Sequence, residues 1–119
     1  MSRSVLLQLA RDSITEVIQA QRTIQKSNLL QEHPLLKEHI TTQVNLYLDN
    51  ELRGSSKSQD TKLNLLEDII LNAKKSAFQD KNFTPISTSE YLSCEIELLL
   101  ATPDGIISEK DPAILKDEE

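Results

Sequence analysis

The sequence predicts an α+β fold: a small antiparallel sheet with two main amphipathic helices packed on it. Three observations carry the prediction. Two segments repeat apolar residues at spacings of three and four, two others alternate apolar with polar residues, and one of these alternating runs ends in the turn-forming pair Asp49-Asn50. With 119 residues, 38% hydrophobic and 27% charged, the chain has the size and balance of one soluble globular unit. A single domain over residues 1–119 is expected, with 103–119 as a mobile acidic tail. Aromatics make up only 3% of the chain, so the core must be aliphatic, with Phe78 and Phe83 as its few large fillers.

The first helix is read from Ser4 to about Gln21. Val5, Leu6, Leu9, Ala10, Ile14, Val17 and Ile18 share one face, Ser2 or Ser4 caps the first turn, and Arg3, Arg11, Asp12, Glu16 and Arg22 fall on the wet side. Residues 23–40 lack clear periodicity and contain Pro34, which reads as a connector with a short helix at Leu35 to His39. Thr41 to Leu48 alternates as a half-buried strand, with Val44, Leu46 and Leu48 on one side and Asn45 and Tyr47 on the other. Two hairpin registers compete after it. A two-residue turn pairs Leu48 with Glu51 and sets Arg53 opposite Leu46, whereas a three-residue loop pairs Leu48 with Leu52 and leaves Arg53 beside Tyr47.

Ser55 to Thr61 reads as a polar loop, with Asp60 or Thr61 as N-cap of the second helix. In that helix Leu63, Leu66, Ile70, Ala73 and Ala77 face the sheet, and Glu67, Asp68, Lys74 and Lys75 face outward. Asp80-Lys81-Asn82 ends it. Ser87-Thr88-Ser89-Glu90 matches a capping box, with Ile86 and Tyr91 placed as a hydrophobic staple over one or two helical turns. From Cys94 to Ala101 the positions Cys94, Ile96, Leu98 and Leu100 are apolar and Glu95 and Glu97 polar, a strand with one buried face. After Pro103-Asp104-Gly105 only a short Ile106-Ile107 run precedes the charged tail.

A net charge of -6 and a pI near 4.9 repel phosphate backbones and anionic lipid, so nucleic acid and membranes are poor partners. No run reaches the roughly twenty apolar residues of a membrane span, and no signal peptide is visible. Together with a single cysteine, Cys94, this points to a cytoplasmic protein. No cofactor or metal is expected. There is no glycine-rich phosphate loop and no paired-cysteine motif, and His33 and His39 read as exposed or capping residues. No catalytic set is complete: Glu95 and Glu97 share a strand face and read as a solvated pair, and neither histidine can be placed beside Ser55 or Ser56. One cluster stands out, Leu52-Arg53-Gly54-Ser55-Ser56-Lys57. Arg53 can fork onto a carboxylate or phosphate, Gly54 permits close approach, and the hydroxyls can donate or accept. A basic hairpin end is also often just solvated.

Leu6 to Arg11, Glu51-Leu52-Arg53-Gly54, Ile70 to Ala73, Ala77 to Asp80, Phe83 to Ile86 and Cys94 to Glu97 follow one another in an order that resembles the AMMECR family, represented in bacteria and archaea by protein A of the AmmeMemoRadiSam system. The resemblance runs from about Val5 to Pro103. It implies a mixed α/β fold with an antiparallel sheet, and partners among Memo-like and radical-SAM proteins; it implies no reaction. Two departures set this chain apart. Family members usually continue Leu-Arg-Gly with Cys-Ile-Gly, where this chain has Ser55-Ser56-Lys57, and they usually extend further with additional strands. The resemblance carries over Leu52, Arg53 and Gly54, and Ser55 and Ser56 enter the candidate partner- or ligand-binding site as their neighbours. The leading expectation is a small interaction or accessory module that contacts a protein or an anionic ligand through this hairpin. An enzyme of unknown reaction that binds an anionic substrate at Arg53, and a degenerate copy with no active site, are the alternatives.

Overall fold

The computed structural model describes residues 3–115. Four strands form one antiparallel sheet in the order β2-β1-β3-β4, from β1 (Thr41–Leu48), β2 (Glu51–Lys57), β3 (Cys94–Thr102) and β4 (Gly105–Asp111). Helices α1 (Val5–Gln19) and α3 (Leu65–Phe78) pack against each other on one face, α3 against β1 and β2 and α1 against β3 and β4. The core between them is aliphatic. Leu7, Leu9, Ala10 and Ile14 of α1 and Leu65, Leu66, Ile69 and Ala73 of α3 meet Val44, Leu46, Ile96, Leu98 and Leu100 of the sheet. The other sheet face carries no helix among the described residues.

Ser4 caps α1 by accepting from the Leu7 amide at 3.1 Å; Ser2 lies outside the described residues. The helix stops two residues short of expectation, because Ala20 turns left-handed and its amide closes onto Glu16 and Val17. Arg11, expected in water, is 2% exposed. Its Nε donates to Asp111 at the end of β4, its Nη2 donates to the carbonyls of Cys94 and Pro112, and its guanidinium lies 5.2 Å from the Tyr91 ring centroid. An arginine can be buried here because both a counter-ion and carbonyl acceptors converge on it.

The connector is more ordered than its weak periodicity implies. A short helix, α2 (Lys26–Glu32), precedes Pro34, and a 3-10 turn, Pro34–Lys37, replaces the expected helix at Leu35 to His39. Of these residues Leu36 is buried and anchors the turn. α3 begins at Leu65, capped by the Asn64 side chain on the Glu67 amide, so neither Asp60 nor Thr61 is its cap. Phe78 and Phe83 are only half-buried; Phe78 packs against the edge of the core, and the fully buried core is aliphatic apart from Tyr91 and Cys94. The capping box at Ser87 is present in both halves and starts α4 (Thr88–Ser93), with Ile86 and Tyr91 both buried.

The largest difference lies after Thr102. Gly105–Asp111, read as a short apolar remnant and the start of a tail, is a full edge strand paired with β3 from Ile96↔Asp111 to Thr102↔Gly105. Ser4 and Arg3 at the start of α1 hold it from the helix side, through Glu109 at 2.6 Å and Asp111 at 2.9 Å. Lys116 to Glu119 lie outside the described residues.

Candidate functional site

The hairpin resolves its two competing registers by using part of each. Asp49 and Asn50 both have positive φ, 54° and 67°, as a two-residue turn of type I′ needs, and Leu48 pairs with Glu51. A bulge follows. Tyr47 pairs with Leu52 but Leu46 pairs with Gly54, so Arg53 has no partner in the ladder and leaves the apolar face to the glycine. Leu52 is left on the uncovered face, 46% exposed.

Freed by the bulge, Arg53 reaches the start of α4. Its Nη2 and Nε donate to the two Glu90 carboxylate oxygens at 2.9 and 3.1 Å, and Nη2 also to the Thr84 hydroxyl at 3.4 Å, while the guanidinium lies 5.7 Å from the Phe83 ring centroid. Glu90 is already fixed by the capping box, accepting from the Ser87 amide at 3.1 Å. Arg53 first, and then that amide, hold the Glu90 carboxyl down at about 2; the same bond raises Arg53. The forked pair is therefore an internal tie between β2 and α4; Arg53 Nη1, like Arg11 Nη1, is buried with no partner among the described residues.

Gly54 is a contact of backbones. A Cβ there would overlap the Ser76 carbonyl oxygen and lie 3.1 Å from its carbon, so the residue lets β2 sit directly against α3. The serines also bond within the chain, Ser55 on the uncovered face and Ser56 towards α3. Ser55 donates its amide to Asp80 at 2.9 Å and its hydroxyl to Asn45 at 2.6 Å, and Ser56 donates its hydroxyl to Asn72 at 2.7 Å. The structure thus keeps Leu52 to Ser56 together on one strand. It directs Arg53, Gly54, Ser55 and Ser56 into intramolecular contacts and leaves Leu52 free.

Two polar clusters escaped the sequence reading. Asp68, expected outward, is 2% exposed. It accepts from the Thr42 amide at 2.8 Å, the Thr42 hydroxyl at 2.7 Å and the Ser58 hydroxyl at 2.7 Å, while Asn72, one turn later, donates to the Thr42 carbonyl and hydroxyl and to Ser58. The signal was present: Asp68 and Asn72 are four apart on α3, and Thr42 shares the inward parity of Val44 and Leu46. The second cluster lies on the uncovered face, where Glu97 Oε1 accepts from Asn45 Nδ2 and the Tyr47 hydroxyl, both at 3.0 Å. Burial first, and the Glu97 bond next, raise the Tyr47 hydroxyl above its ordinary value. Glu95 and Glu97 do share this face, and Glu97 is occupied by these donors.

Elsewhere, Cys94 is fully buried, and burial pushes its thiol up to about 11. His39 Nδ1 lies 2.7 Å from the Thr61 carbonyl, and His33 ends α2. Among the described residues no group of three or more His, Cys, Asp or Glu is placed to hold a metal ion, and no helix is long and apolar enough to cross a membrane. A cleft of about 680 Å³ opens between the end of α1 and α3, lined by Val17, Ile24, Arg22, Lys26 and Lys74 beside Glu16. Glu16 is itself engaged there. Burial raises it, but the Ile24 and Thr23 amides and Lys74 outweigh that and lower it.

The family model described as AMMECR1 matches residues 7–115. No curated protein matches the chain. Among solved structures it is similar to the uncharacterised protein PH0010 from Pyrococcus horikoshii, with 28% identity and a TM-score of 0.73. That alignment covers 82% of this chain and 50% of PH0010, so the chain spans about half the length of that relative. The family model spans most of the chain: this chain belongs to the AMMECR1 family.

Proposed function

We propose that the chain is an interaction module, and that its contact surface is the uncovered sheet face at the β1–β2 hairpin. The observation that carries this reading is the intramolecular engagement of Arg53, Ser55 and Ser56, which leaves Leu52 exposed beside its cross-strand partner Tyr47. Next to that pair, Glu97 holds Asn45 and Tyr47 in fixed orientation, an apolar spot rimmed by ordered polar groups of the kind protein interfaces use. The partner is a protein, and the family resemblance makes Memo-like and radical-SAM proteins the first to test.

The experiment is a binding titration of such partners with the parent and with the Tyr47→Ala/Leu52→Ser double variant, each confirmed folded by circular dichroism. The reading expects at least a tenfold loss of affinity in the double variant. Unchanged affinity would sink it.

A second reading keeps the hairpin as an anion site. Arg53 Nη1 has no partner among the described residues, so a ligand carboxylate or phosphate that displaces Glu90 would gain a donor. Titration with inorganic phosphate, followed at the Arg53 Nε–H resonance, separates the two: a saturating shift supports the anion site and no shift removes it.

A further inference from the structure

The two edges of the sheet are treated differently. β2 is closed to new strands: the Arg53 bulge interrupts it, Asp80 occupies the Ser55 amide, and Arg53 crosses to α4. β4 has none of these devices along its outer half. Gly105, Ile106, Ile107 and Ser108 are all exposed, Ile106 at 72% and Ile107 at 53%, on opposite faces of an edge whose outward amides and carbonyls pair with no strand among the described residues.

We propose that this edge pairs antiparallel with β4 of a second copy, with Ile107 of both copies meeting at the two-fold axis. Pairing must keep side chains of one face together, which limits the choice to registers two residues apart. Setting Ile107 opposite the partner's Ile107 puts Ile106 beside the partner's Ser108 and Lys110 level with the partner's Asp104, the turn residue immediately before β4. By symmetry the Lys–Asp pair forms twice, and isologous contacts of this kind close into a dimer. The neighbouring registers fit less well. One sets Ile106 against Lys110 and Ile107 against Glu109, and the other leaves Lys110 opposite Thr102. Lys110 thus plays two parts: an edge lysine disfavours chance strand addition, and of these registers the one with Ile107 on the axis gives it a counter-charge. The result is an eight-stranded sheet whose uncovered faces run on from one copy to the next.

A seven-residue edge buries well under the roughly 1,600 Å² of a standard interface, so the dimer is transient, with a dissociation constant in roughly the micromolar to submillimolar range. Sedimentation velocity over that range tests it. Asp104 and Lys110 are exposed and make no hydrogen bond or ion pair among the described residues, so Lys110→Glu and Asp104→Lys should leave the fold unchanged by circular dichroism. Each variant alone sets like charges together twice, and association should weaken at least tenfold. An equimolar mixture of the two restores both pairs, and a heterodimer should form with parental affinity. Ile107→Lys, which brings two ammonium groups to the axis, should be monomeric and should stay so in any mixture. A monomeric parent, single variants that associate like the parent, or a mixture that stays monomeric would each overturn the proposal.

Discussion

Replacing Gly54 with alanine asks whether this glycine serves the fold. The added Cβ meets the Ser76 carbonyl well inside 3.0 Å, a separation that real Cβ atoms essentially never show. The carbonyl cannot swing aside. It belongs to the last turn of α3, whose end is held by the Gln79 amide on Lys75 and by the buried Ser76 hydroxyl on Ala73. β2 and α3 must therefore separate by roughly an ångström, opening contacts to Leu46 and Ala73. Overpacking of this kind costs about 1–3 kcal/mol, and loss of glycine's unfolded-state freedom returns about 0.4–1 kcal/mol, for a net loss of about 1.3 kcal/mol. With a urea m-value of about 1–3 kcal/mol/M, the unfolding midpoint followed by circular dichroism should fall by about 0.6 M. Gly54→Val should lose more than Gly54→Ala. That order opposes intrinsic strand preference, which favours valine, and so isolates the steric cause. A midpoint within about 0.2 M of the parent for both variants would refute the close approach of β2 to α3.

Acid should weaken the Arg53–Glu90 tie with a definite sign. Glu90 sits at about 2 in the folded chain against an ordinary 4.5, so its contribution is complete above pH 4.5 and disappears as pH falls from 4.5 towards 2. Because the carboxylate is one-third exposed, about 1 kcal/mol is expected, and Glu90→Gln should flatten that part of the stability–pH curve. Asp68→Ala strands the Thr42 amide and two hydroxyl donors in the interior and should cost about 3 kcal/mol by urea unfolding, several times the effect of an exposed carboxylate such as Asp60. Arg11→Ala leaves Asp111 with Arg3 as its remaining partner and strips the donors from the Cys94 and Pro112 carbonyls; it should cost about 3 kcal/mol, with β4 amides losing exchange protection first. Cys94 should resist thiol-specific reagents in the native chain and react once urea unfolds it, because its thiol is buried and held near 11.

What could be read from the sequence followed the apolar pattern. α1, α3, β1 and β3 each have a period that matches one buried face, and the capping box at Ser87 is a local device with a local signature. What could not be read was long-range polar satisfaction. Arg11 and Asp68 are charged residues on helices, and a charge on a helix belongs in water unless a distant residue meets it; Asp111 is 100 positions away from Arg11, and Thr42 is 26 from Asp68. β4 was missed for a related reason, since GIISEKD alternates poorly: its inward Glu109 and Asp111 are satisfied by Ser4, Arg3 and Arg11 instead of by apolar burial. The hairpin shows the opposite case. The sequence marks Leu52 to Ser56 as a candidate contact cluster, but the polar side chains of Arg53, Ser55 and Ser56 are engaged within the chain, Arg53 because a bulge removes it from the ladder and a preformed cap supplies its carboxylate.

That Arg53 belongs to the fold and not to a ligand is the claim on which the reading of this surface turns. The Arg53 Nε–H signal in a nitrogen–proton correlation spectrum at neutral pH tests it most directly. The bond to Glu90 predicts a slowly exchanging resonance, distinct from that of exposed Arg22, which disappears in Glu90→Gln with the rest of the spectrum preserved. A rapidly exchanging Arg53 Nε–H in the parent, indistinguishable from Arg22 and unaffected by Glu90→Gln, would contradict the account and return the hairpin to candidacy as an open binding site.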